Sequence, residues 1–244
     1  MNISISENAT ELATKASEIV TQRLNDIIAR NGEARMVVST GSSQFEMFQA
    51  LVKENVDWTR VTVFHLDEYI GLPVTHKASF RKYLYERFIN IVPVSKFFSV
   101  DVEGNITGRI AELTSEIHKN PVDLGLIGIG VNGHIAFNDP PADFNTRDAY
   151  ILVKLNEQCK LQQVNEGWFN TLAEVPDKAV SMSVWQIMQC RTIISVVPHL
   201  VKAGAVKNTL MSKLTNTVPA TMLKLHPDWH LFLDKNSASE IITF

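Results

Sequence analysis

A chain of 244 residues, 45% apolar and 20% charged, has the composition of an ordinary globular protein and the length for one large α/β domain. A formal net charge of −3, with no long run of either sign, gives no electrostatic basis for a nucleic-acid or membrane partner. No stretch approaches the ~18 consecutive apolar residues of a transmembrane helix, and the first twenty residues lack the basic start and apolar core of a signal peptide. Cys159 and Cys190 form no metal or redox spacing and read as free thiols, which points to a reducing cytoplasm.

From Asn8 the apolar positions Leu12, Ala16, Ile19, Val20, Leu24, Ile27 and Ile28 follow helical spacing. Asn8 and Glu11 suggest a capping box, and Asn31-Gly32 a stop. The first strand predicted is Met36–Val38, which ends in Ser39-Thr-Gly-Ser-Ser43, and a helix follows through Phe45, Phe48 and Leu51. A second strand, Val61–Phe64, runs into His65-Leu-Asp67-Glu68-Tyr69. Helices are predicted over Ser79–Ile91 and Ile106–His118, then a buried strand over Leu124–Ile129. Further strands are predicted at Tyr150–Val153, Ala179–Val184, Thr192–Val197 and His230–Leu233. Short apolar runs alternating with amphipathic helices predict a single doubly wound, mostly parallel sheet with helices on both faces, Rossmann-like, in one domain over residues 1–244. Ligands of such sheets bind at the carboxyl ends of the strands.

Three strand ends carry unusual polar sequence. At Thr40, Gly41, Ser42 and Ser43 the chain turns through glycine into a helix, a geometry that binds phosphate or simply caps the helix with serine. No G-x-x-x-x-G-K-[ST] is present, so this is no nucleoside triphosphate loop. Asp67 and Glu68 follow a strand directly; neighbours on an extended chain point opposite ways, so one of them faces a pocket, where partial burial would make it a base.

The third strand end, Gly128-Ile-Gly130-Val-Asn132-Gly133-His134, spells the dinucleotide fingerprint G-x-G-x-x-G. The context contradicts that reading. The third glycine should open a helix, but Pro140 and Pro141 exclude one, and Asp148 lies before its candidate strand rather than at the end of it. What remains is a glycine-rich loop with His134 and Asp139 five residues apart, either a proton-transfer pair or a structural histidine. No His/Asp/Glu set shows metal-ligand spacing.

In order and spacing, STGSS, VTVFHLDEYIGLP and GIGVNGHIAFNDPP resemble the glucosamine-6-phosphate deaminase (isomerase) family, with the 6-phosphogluconolactonases as a sister family. The resemblance implies a reaction without metal or cofactor: ring opening, aldose–ketose isomerisation through an enolamine, and hydrolytic loss of ammonia. It implies that Asp67 is the base between C2 and C1, that His134 assists ring opening and that Asp139 orients it, with Asn132 grouped beside them. Thr40, Gly41, Ser42, Ser43, Glu68, Gly130 and Lys202 are the implied substrate and phosphate contacts. Asp139 stands where the family usually has Glu, Asn132 where several members have Asp, and His199 where a glycine usually precedes the lysine. Gln162–Phe169 has no arginine to make a second phosphate contact. The implied partner is a small-molecule sugar phosphate of gluco or galacto configuration, with no nucleic acid and no membrane, and both monomer and homo-oligomer are compatible with it. The alternatives are a lactonase and a non-catalytic sugar-phosphate sensor.

Overall fold

The computed structural model describes residues 1–241. Asn8 separates the first strand, β1 (Asn2–Ser6), from the first helix, α1 (Ala9–Asn31). Its side chain accepts from the N–H of Glu11 at 3.0 Å, which satisfies one of the donors a helix start leaves free. The Glu11 carboxylate reaches back as a capping box requires, but to the N–H of Glu7 at 2.9 Å. Gly32 closes the helix in the left-handed conformation, φ 82°, with its N–H on the carbonyl of Ile28.

Seven parallel strands form the main sheet, in the order β1-β10-β9-β6-β2-β3-β5. The strands besides β1 are β2 (Ala34–Val38), β3 (Val61–His65), β5 (Lys96–Phe98), β6 (Leu124–Leu126), β9 (Thr192–Val197) and β10 (Trp229–Asp234). The helices after α1 are α2 (Phe45–Leu51), α3 (Phe80–Leu84), α4 (Ile106–His118), α5 (Glu157–Asn165), α6 (Val184–Ile187) and α7 (Ala203–Met211).

Strand side chains alternate between two cores, as the period of two dictates. Val37, Phe64, Ile193 and Leu231 pack with Leu113 and Ile117 of α4 and Val206 of α7. Met36, Val38, Val63, Ile194 and Val196 pack with Leu12, Ala16, Val20 and Leu24 of α1 and with Met47 and Phe48 of α2. The doubly wound α/β architecture is therefore present, and each fully buried aliphatic side chain contributes roughly 1.5–3 kcal/mol. No helix among the described residues is long and apolar enough to cross a membrane.

Four expectations are corrected. The sheet is not single: the predicted strands near Tyr150 and Ala179 are β7 (Tyr150–Lys154) and β8 (Lys178–Met182), which pair antiparallel with each other, and β4 (Asp67–Tyr69) pairs antiparallel with β8. The first strand is β1, not Met36–Val38; it joins the edge beside β10, a pairing its own alternating NISIS does not specify. The Ala179 strand stops at Met182 because Ser183 caps α6, accepting from the N–H of Gln186. The predicted helix Ser79–Ile91 is α3 followed by a π-helical turn, Tyr85–Ile89.

The strand order reverses at β2: β3 and β5 lie on one side, and β6, β9, β10 and β1 on the other. The carboxyl ends of β2 and β6 diverge there into the crevice where open α/β sheets bind ligands. Replacing Asn8 with Ala is expected to lower the unfolding free energy by about 1 kcal/mol, read from urea denaturation with an unchanged m-value.

Candidate active site

At the end of β2 the backbone of Ser39 donates to Leu126, and its hydroxyl accepts from the N–H of Gly128 at 3.1 Å, so the first and third strand ends are bound together. Gly41 takes φ 104°, where a side chain would be strained, and leads into the turn Ser42–Gln44. The Gln44 amide donates to Val196 on β9 at 3.0 Å and to the Ser43 hydroxyl at 3.2 Å. Ser43 keeps its own hydroxyl hydrogen for a ligand.

Asp67 and Glu68 separate as the strand period requires. Asp67, paired with Ser181 across β4 and β8, turns its carboxyl to the pocket. No protein group among the described residues donates to it, and burial, then the charge of Glu68, raises its pKa well above the ordinary carboxylate range. Glu68 lies outside the pocket lining, which corrects the expectation that it contacts substrate. Its oxygens are taken by the N–H groups of Tyr69 (3.0 Å), Phe80 (3.2 Å) and Arg81 (2.8 Å), the Ser79 hydroxyl (2.9 Å) and Arg81 Nε (3.4 Å). The Arg81 guanidinium continues to Asp101 at 2.8 Å, Glu103 at 3.0 Å and the carbonyl of Leu72. Glu68 is a structural charge.

Residues 128–141 contain no helix, as the prolines predict. Gly133 donates to the carbonyl of Gly130, and Gly130 to that of His134, which curls the loop so that the imidazole lies over Gly130. A Cβ at Gly130 would fall 2.1–2.4 Å from three ring atoms, so only glycine fits there. His134 Nδ1 lies 2.6 Å from Asn132 Oδ1 and 3.3 Å from Asp139 Oδ1. Both are acceptors, so Nδ1 carries a hydrogen, and in the neutral ring Nε2 is left as the acceptor. Asn132 is thus the nearer orienting group. Its oxygen also accepts from the His134 N–H at 3.0 Å and its amide donates to Asp139 at 3.3 Å. Burial pushes the Asp139 carboxyl up, but the hydrogen bonds and charge of His134 and the Asn132 amide outweigh it and hold the pKa below the ordinary value.

These strand ends border one pocket that is open to solvent. Thr40, Gly41, Ser42, Ser43, Asp67, Gly130, His134 and Lys202 all line it; Asn132 and Asp139 stand behind His134. Lys202, in the turn Leu200–Lys202 after β9, is buried, and burial lowers its pKa against the opposing charge of Glu166. His199 takes the left-handed backbone position, φ 79°, held by Asp234 Oδ2 accepting from its N–H at 3.0 Å. Gln162, Gln163, Glu166 and Trp168 close the pocket from the end of α5, within the stretch that the resemblance sets at a phosphate contact but from which no site residue was named. Nothing in their own spacing marks them individually; the resemblance marks only the stretch. Among the described residues no three His, Cys, Asp or Glu side chains come together as a metal-ligating group.

Residues 7–231 match the family described as glucosamine-6-phosphate isomerases/6-phosphogluconolactonase. The chain belongs to this family. It is 34% identical over 250 aligned positions to the glucosamine-6-phosphate deaminase of Thermoanaerobacter pseudethanolicus, covering 99% of this chain and 95% of that protein. The deaminase of Halothermothrix orenii is 32% identical, with 98% and 99% covered. A solved monomeric glucosamine-6-phosphate deaminase superposes with a TM-score of 0.89 at 26% identity, over 98% of this chain and 100% of that one. The 6-phosphogluconolactonase of Trypanosoma brucei has a TM-score of 0.81 at 15% identity, covering 99% and 98%, and shares the fold.

The two neighbouring carboxylates are expected to respond in opposite ways to removal of their charge. Glu68→Gln leaves Arg81 and its surrounding donors without a buried anion and should cost stability, by less than the ~3–5 kcal/mol of a fully compensated buried pair, because burial raises the Glu68 pKa as well. A raised carboxyl pKa makes the fold lose stability as pH climbs through it. Asp67→Asn removes that loss and should raise stability at neutral pH by about 1 kcal/mol. Urea unfolding of both variants reads the contrast.

Proposed function

We propose that the protein is an amino-sugar-phosphate deaminase, converting glucosamine 6-phosphate or its galacto epimer to the ketose 6-phosphate and ammonia. The observation that carries this reading is the meeting of Asp67 and His134 in one pocket with Lys202 and the Thr40–Ser43 loop. The deaminases among its relatives, aligned along nearly the whole chain, support it. The reading brings with it a cytoplasmic location, one domain over residues 1–244, and no nucleic-acid or membrane partner.

The phosphate sits against Ser42, Ser43 and Lys202, which places the sugar carbons under Asp67 and His134. His134 Nε2, free to accept, takes the proton from O1 while a proton is delivered to O5, and the ring opens. Asp67, ionised, takes the proton from C2 of the open chain. The electron pair left on C2 forms the C1–C2 double bond of an enolamine as the C1 carbonyl oxygen takes up a proton, and the same carboxyl returns its proton to C1. C2 is then an imine carbon; water adds to it and ammonia leaves. One carboxyl serves both transfers because C1 and C2 are adjacent on one face of the chain. Its shelter from water keeps the proton from exchanging and strengthens the base once it is charged.

Presence of Asp67 in the pocket favours isomerisation over lactone hydrolysis. Coupled detection of ammonia with both epimers tests the proposal; hydrolysis of 6-phosphogluconolactone with no ammonia from either amino sugar would replace it with the lactonase reading.

Two further outcomes are expected. Asp67→Asn should lower kcat by about 10²–10⁴-fold. In the wild type, kcat/KM should climb with pH through a pKa well above the ordinary carboxylate range, because burial keeps the base protonated below it. Gly130→Ala should displace the imidazole from its seat and lower kcat/KM by about 10²-fold, with circular dichroism unchanged.

A further inference from the structure

We infer that Lys77 is a second cation for the substrate phosphate, acting from a cavity that adjoins the pocket. The inference rests on the reading that this pocket receives a phosphate. A phosphate monoester carries a charge of about −1.5 to −2 near pH 7. Among the described residues lining the pocket, Lys202 is the one lysine or arginine, and Glu166 on the same lining offsets part of its charge. A single ammonium facing a carboxylate leaves a near-dianion short of positive charge.

A small cavity adjoins the pocket, and Gly41, Phe80 and Trp168 line both spaces. Lys77 lines the small one together with Gly41 of the serine-rich loop. Its ammonium donates to the carbonyl of Gly167 at 3.0 Å, and Gly167 lies between Glu166 and Trp168 of the pocket wall. An ammonium has three N–H donors, so two remain for a phosphate oxygen without giving up Gly167. No carboxylate pairs with Lys77 among the described residues.

The neighbouring cations are engaged elsewhere. Arg81 is held by Glu68, Asp101 and Glu103, Lys82 by Thr75 and Glu86, and Arg87 stacks over Phe45. The backbone that carries Lys77 is fixed, since Ser79 donates to the His76 carbonyl on one side and, through its hydroxyl, to buried Glu68 on the other. The stem is exposed and free to reorient. Lys77 is thus a mobile charge on a rigid mount beside the phosphate loop.

The test is calorimetric titration of the full chain with inorganic phosphate, alongside ammonia-release kinetics. Lys77→Met should weaken phosphate binding about fivefold and raise KM by a similar factor with kcat within twofold; Lys77→Arg should restore both. Lys82→Met, which removes the same charge outside both cavities, should leave phosphate binding unchanged. Equal weakening by the Lys77 and Lys82 variants, or none by Lys77→Met, would overturn the inference. Lys77-dependent phosphate binding by a wild type that releases no ammonia would uphold it and remove the deaminase reading instead. Ammonia release with phosphate affinity indifferent to Lys77 would do the reverse.

Discussion

The pocket depends on a charge that takes no part in its chemistry. Burying Glu68 is costly, and part of the cost is offset by the N–H of Tyr69 and by four donors from the segment that starts α3, including N–H groups the first turn of a helix leaves without partners; burial still holds its pKa above the ordinary value. Because β4 is extended, anchoring Glu68 inward commits Asp67 to the other side, toward the ligand crevice. Arg81 then carries the anchor to Asp101 and Glu103 after β5, so the strand end, the helix start and the following loop are set as one piece. A buried ion cluster is poor evidence for stability in general; here it determines which of two adjacent carboxylates meets the ligand.

Behind the imidazole, two departures from the family pattern answer each other. Asp139 is one methylene shorter than the usual glutamate and stops 3.3 Å from His134 Nδ1. Asn132 fills the interval, its oxygen 2.6 Å from the same nitrogen and its amide on Asp139. The orientation of the ring is kept, with a neutral amide as its nearest partner and the carboxylate one step back. His199 follows the same logic beside Lys202: a residue with a side chain occupies a left-handed position because Asp234 accepts from its N–H.

The elements legible in the sequence are those whose periodicity is long or whose ends are capped chemically. The span from Asn8 to Gly32 is one, and Ile106–His118 matches α4 at both ends. The strands at Thr192 and Tyr150 are equally visible, but an apolar run carries no record of its partner, so the antiparallel sheet was not foreseeable. β4 and β5 have three residues each and exist because neighbours offer backbone groups to pair with. The site follows the same division. Glycine, serine and acidic residues at strand ends are informative because their chemistry is local. Asn132 as the nearer partner of His134, the burial of Glu68 and the arrival of Glu166 and Trp168 are facts of tertiary geometry.

The end of β8 touches both halves of the chemistry. Met182 donates its N–H to Leu66, next to Asp67, and its carbonyl accepts from the Asn138 side chain at 2.8 Å; the Ser181 hydroxyl accepts from the N–H of Phe137 at 3.1 Å. The strand that carries Asp67 and the loop that carries His134 are pinned to the same two residues. The three-stranded sheet thereby acts as a ruler, with the spacing between Asp67 and the imidazole marked on it by Ser181 and Met182. The serine-rich loop and Lys202 hang from the larger sheet instead. Asp67 and His134 therefore keep their spacing through the smaller sheet, whatever the larger one does.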